Sequence, residues 1–150
     1  MKRFTQSSLT PGNCWQTAIA CLLEVDPETL PSQVDIETAD KNGYSNALNK
    51  YLRKHHGLFQ AWIHFPSFLG VVPRSPGYHL MAGPTVRTPK NNVHHIVVGQ
   101  DGAMVWDPHP ARSGLTDVTS WVVLVEAPGS WAESWDRLAC VCPACLAATG

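Results

Sequence analysis

"VHHIVVGQDGAMVWDP", residues 93–108, decides the fold class. Two runs of strand-forming residues flank Asp101-Gly102, a pair suited to the tight turn that joins antiparallel strands. Working outward, "YHLMAG" (78–83) and "SWVVLVEA" (120–127) read as further strands of the same sheet. "LFQAWIHF" (58–65) alternates enough to be another, and Pro66 and Pro73 punctuate the loop that follows it. The first third of the chain has a different period. In "NCWQTAIACLLEV" (13–25), Trp15, Ala18, Ile19, Leu22 and Leu23 recur at helical spacing. Asn13, after Pro11-Gly12, is the expected N-cap, its side chain accepting a free backbone N–H. That helix should end before Pro27, leaving "DPETLPSQ" as a turn with a short helical piece. A second helix is expected over "YSNALNKYLRKHHG" (44–57). Its apolar stripe is Tyr44, Ala47, Leu48, Tyr51 and Leu52, and Gly57 stands where a glycine stop belongs. Helices first and strands after predict an α+β domain, with an N-terminal central helix packed on an antiparallel sheet.

Composition narrows the function classes. The chain has 150 residues, 44% hydrophobic and 15% charged, with a net charge of −1. This suits one domain with a sizeable core, expected over residues 1–139, followed by a cysteine-rich tail over 140–150. Beyond "RKHH" (53–56) the basic residues form no stripe, so a nucleic-acid partner is not expected. No run of about 18 apolar residues predicts a membrane span, and the basic start "MKRFTQSSLTPG" lacks the apolar run of a signal peptide. The five cysteines are Cys14, Cys21, Cys140, Cys142 and Cys145. An odd number, with three crowded at one end, points to a reducing cytoplasm rather than a disulfide framework.

Cys14 opens the first helix, where unpaired N–H groups and the helix dipole favour a thiolate. It is either a nucleophile or a buried thiol. Cys21, two turns later, reads as core. A nucleophilic Cys14 needs a histidine from another element to form a thiolate–imidazolium pair and to return a proton to the leaving group. His94 and His95 point to opposite faces of their strand, so one of them can face the helix. Counting across the Asp101-Gly102 turn puts Asp107 about level with the pair, where a carboxylate can orient the imidazole. Asp107 can equally be an Asp-Pro turn at a strand end. His109 and His79 remain open between contacts to substrate and ordinary loop or core positions.

Taken in order, "GNC…A…LLEV", "ALNKYL", "GYHLMAGP", "HIVVG" and "VWDPHP" resemble the papain-like cysteine peptidases, in particular the bacteriocin-leader-processing type and compact phage and bacterial relatives. The similarity runs from about Gly12 to Leu115. It implies a papain-like fold and a thiol hydrolase or acyltransferase acting on a peptide or other amide bond. By the same resemblance Cys14, followed by Trp15, is similar to the nucleophile. His95 matches the general base, with His94 its rival, and Asp107 matches the acid. The family places a glutamine upstream of the cysteine as an oxyanion donor, and Gln6 is the one available. The side chain of Asn13 and the N–H of Cys14 are the other candidate donors. Such an enzyme needs no cofactor. Its partner is a peptide, a protein or an amide-bearing small molecule, with no nucleic acid and no membrane.

Two other readings compete. The fold can be kept by a binding protein without turnover. Alternatively Cys142-x-x-Cys145, with Cys140, can supply thiolates to zinc, although the chain offers no second ligand pair after it.

Overall fold

The computed structural model describes residues 1–40, 43–64, 77–87 and 95–127. Among these, three helices pack on a five-stranded antiparallel sheet, an α+β architecture. The helices are α1 (Cys14–Leu23), α2 (Gln33–Ala39) and α3 (Gly43–His56). The strands are β1 (Leu58–His64), β2 (Tyr78–Gly83), β3 (His95–Gln100), β4 (Ala103–Trp106) and β5 (Ser120–Glu126), in spatial order β1-β5-β2-β3-β4. His94 and the tail with Cys140, Cys142 and Cys145 lie outside the described residues.

The hairpin forms as its sequence predicts. Asp101 and Gly102 sit at φ 53 and 83, the left-handed pair that matches the twist of antiparallel strands. A bulge then shifts the β3–β4 register by one, from Gly99 opposite Met104 to Val98 opposite Trp106. Gly57 ends α3 at φ 64, and β1 begins one residue later.

Alternation along the strands divides the core. Leu80, Ala82, Ile96, Val98 and Val122 face the helices and meet Ala18, Ile19, Ala20 and Cys21 of α1 and Tyr44, Leu48 and Leu52 of α3. Met81, Val97 and Trp121 fill the other face. β3 is therefore buried on both sides at its centre, which is why "IVV" is continuously apolar rather than alternating. Each fully buried Leu or Val of this kind contributes about 1.5–3 kcal/mol relative to exposure.

The short helical piece read within 26–33 is the 3-10 turn Pro27–Thr29. Residues 33–39, mostly beyond that reading, form a seven-residue helix capped by Ser32, whose Oγ accepts the Asp35 N–H at 3.3 Å. One local expectation is corrected. Asn13 is the backbone N-cap of α1, its carbonyl accepting the Thr17 N–H at 3.1 Å, but its side chain caps nothing in the helix. Instead Asn13 Oδ1 accepts from Ser8 N–H at 3.1 Å and Nδ2 donates to Ser7 Oγ at 3.1 Å, fastening the segment before the helix. The free N–H groups of Trp15 and Gln16 are taken by Gln33 Oε1 of α2, at 3.0 and 3.1 Å. Gln16 Oε1 in turn accepts the Gln33 N–H at 3.0 Å. The two helix starts thus cap one another.

Candidate active site

The strand registers bring several elements to one end of the sheet. His64 lies opposite Ser120, Ser120 opposite Ala82, and Ala82 opposite Ile96. Hence the end of β1, the end of β2, the start of β3 and the end of β4 are neighbours. The start of α1 lies over the same end, where Cys14 and Trp15 line one cleft with His95 and Ile96. A cleft of about 680 Å³ opens there, within the size range of small-ligand sites. Its lining includes Gln6, Cys14, Trp15, Gln33, Glu37, Trp62, Arg87, His95 and His109.

Cys14 is half-buried. Burial pushes its thiol above the ordinary range, and the charges of Glu37 and Asp107 push the same way. The N–H groups of Ile96 and Trp15 pull against them. Cys14 N–H itself has no acceptor among the described residues, so it is available as a donor at the mouth of the helix. Trp15 is a wall rather than a loose contact. Its Nε1 donates to Gln60 Oε1 at 2.8 Å, and its ring stands edge-on to Tyr44 and Trp62, each at 5.3 Å.

His95 opens β3 opposite Gly83, is half-buried and lines the cleft with Cys14. Asp107 is 3% exposed and fully engaged. Its Oδ2 accepts from Arg87 Nη1 at 3.0 Å and Gly114 N–H at 2.9 Å, and its Oδ1 accepts from His109 N–H at 2.9 Å. Arg87 also donates to Ser113 Oγ. His109 lines the cleft as a neutral ring, since partial burial, then Arg87, holds its pKa below the usual histidine range. Its Nδ1 accepts the Ala111 N–H at 3.0 Å, which places the remaining proton on Nε2.

Gln6 reaches the cleft, but its Nε2 donates to Ser8 O at 2.8 Å. The atom left without a partner is the buried Oε1, an acceptor. Gln6 Nε2 and Asn13 Nδ2 each spend one N–H on a neighbouring oxygen, Ser8 O and Ser7 Oγ, and each amide has a second N–H. His79 is not brought to the cleft. It is fully buried on the sheet face opposite α1, with Nδ1 against Gly77 O at 3.1 Å and its ring 4.5 Å from that of Trp121. Cys21 is core, its sulfur accepting the Phe4 N–H at 3.3 Å.

Glu37, Gln33, Arg87 and Trp62 are cleft residues that the motifs did not single out. Ser32 with Asp35 three residues later is a helix-start signal that could have found α2, and with it Gln33 and Glu37. A buried Asp107 demands a cation, which could have directed attention to Arg87. Among the described residues no three His, Cys, Asp or Glu side chains gather as a metal site, and no helix is long and apolar enough to cross a membrane.

The chain matches no family model, no curated protein and no solved structure. The resemblance to papain-like peptidases therefore rests on the sequence motifs alone.

Proposed function

We propose that the chain is a papain-like thiol hydrolase or acyltransferase of the cytoplasm, acting on an amide bond of a peptide, a protein or a small molecule. The observation that carries this reading is the placement of Cys14 at the first position of α1, in one cleft with His95. In the reaction, His95 takes the thiol proton and Cys14 Sγ attacks the carbonyl carbon. The Cys14 N–H supports the oxyanion. Collapse expels the amine, which leaves with the proton from His95, and an acyl thioester remains on Cys14. Water, deprotonated by His95, releases the acid; an amine in its place gives transfer. Asp107 is fixed by its three donors at the end of β4, the place from which an acid would orient the His95 ring. A second reading, a papain-like binding protein without turnover, is favoured by the upward push on the Cys14 pKa from burial and neighbouring carboxylates.

An activated acetate ester tests the chemistry without knowledge of the substrate. Native protein should acetylate at Cys14 and lose the label by hydrolysis, with peptide mapping to separate Cys14 from the other four cysteines. His95→Ala should slow both steps by about 100-fold or more, the scale of a lost general base. If Cys14 acetylates no faster in the folded chain than in urea, the binding reading replaces the enzyme.

A further inference from the structure

The cleft has two chemically different arms. On the β4 side, Arg87 and Asp107 neutralise each other and His109 is neutral. On the α2 side stands Glu37, half-buried in the cleft wall. Its one hydrogen-bond partner among the described residues is uncharged, the Gln33 amide Nε2 at 3.1 Å. Gln33 is itself fixed, because its Oε1 caps α1. Burial raises the Glu37 pKa, as expected for a carboxylate that has lost water and has no cation beside it among the described residues. Trp62 lines the same cleft, edge-on to Trp15 at 5.3 Å and stacked with His64 at 5.8 Å, and an aromatic ring attracts a cationic group.

We propose that the Glu37–Trp62 arm is the specificity subsite of this cleft, and that it takes a protonated amine or guanidinium of the substrate, carried beside the bond presented to Cys14. The ligand supplies the positive charge that Glu37 lacks among the described residues. Trp15, locked between Tyr44 and Trp62, holds the arm's wall rigid, so selection rests on charge at a fixed place. This inference rests on the reading of Cys14 as a reachable nucleophile.

Charged thiol reagents test it without any turnover. Aminoethyl methanethiosulfonate is cationic and sulfonatoethyl methanethiosulfonate is anionic. With each, the Cys14 thiolate attacks the sulfenyl sulfur, methanesulfinate leaves and a mixed disulfide forms. The ratio of the two rates at Cys14 is measured at neutral pH in wild type and in Glu37→Gln, a change that keeps an oxygen to accept the Gln33 bond. Wild type should favour the cation by about tenfold, in the range of local electrostatic focusing, and Glu37→Gln should remove most of that preference. A second measurement needs no variant: the wild-type ratio should fall toward unity with added salt and as acid protonates Glu37. A reactive Cys14 with no preference, or one unchanged in Glu37→Gln, overturns the subsite and leaves the thiol reading intact. A Cys14 inert to both reagents overturns both.

Discussion

Asp107→Ala should destabilise the fold by about 3–5 kcal/mol, the scale for removing one partner of a buried ion pair. The carboxylate is almost fully buried and gathers Arg87 Nη1 with the N–H groups of His109 and Gly114. Alanine leaves the His109 and Gly114 N–H groups without an acceptor, and it leaves the Arg87 guanidinium without its carboxylate, with Ser113 Oγ as the remaining acceptor of Nη1. Arg87 is the costliest of these, because its Nε is already buried without a partner. A loss of this size is a large share of the 5–15 kcal/mol that holds a typical domain together. Urea unfolding at neutral pH measures it. The double variant Asp107→Ala with Arg87→Met should recover a large part of the loss, because no unpaired charge remains. Thiol chemistry should not recover with it if Asp107 also serves His95. A loss below 1 kcal/mol in the single variant would mean that this network does not hold the end of the sheet together.

Gly83→Ala should cost about 3 kcal/mol, at the upper end for overpacking, and should act from the opposite side of the same site. A Cβ at Gly83 would stand 2.0 Å from the Asp117 carbonyl oxygen and 3.0 Å from its carbon. Backbone cannot turn aside as a side chain does. The neighbouring segment is also clamped, with Thr116 N–H on Pro84 O at 2.8 Å and Thr119 N–H on Ala82 O at 2.9 Å. Admitting the methyl group means breaking one of these bonds or displacing the end of β2. Because Gly83 pairs with His95, displacement also moves the histidine. Thermal unfolding and Cys14 reactivity should therefore fall together in this variant. Wild-type stability would show that the 115–119 segment yields freely.

The parts of this fold that were legible in sequence are those set by local chemistry. Asp101-Gly102 announces its turn through φ, and Gly57 stops α3 for the same reason. The stripe of Tyr44, Leu48 and Leu52 gives the buried face of α3 at helical spacing. The start of α1 was placed correctly, yet its cap was not. Asn13 has the right chemistry, but Gln33 comes from another helix and only tertiary packing brings it there. α2 was missed because seven residues, with Val34, Ile36 and Ala39 as their aliphatic side chains, give no periodic signal. Its stability comes from Ser32 and from exchange of hydrogen bonds with α1. The site follows the same division. Cys14 and His95 could be named from motif and position, whereas Glu37 and Arg87 belong to the cleft through contacts that no local pattern encodes. Asp107 was legible as an acid at a strand end, but its engagement by three donors was not.

The central claim is that Cys14 is activated by His95, and the pH profile of iodoacetamide alkylation at Cys14 tests it most directly. Burial, Glu37 and Asp107 all raise the thiol pKa, and only the two N–H groups oppose them. A thiol whose folded pKa is raised alkylates only as the pH climbs beyond its usual range, and an imidazolium partner reverses that sign. The account predicts rapid alkylation of Cys14 well below pH 8, no such phase in Cys14→Ala, and a profile shifted upward by about two pH units or more in His95→Ala. A wild-type Cys14 that alkylates only above the ordinary cysteine range, with His95→Ala unchanged, would contradict the pairing and leave a buried thiol at the head of a helix.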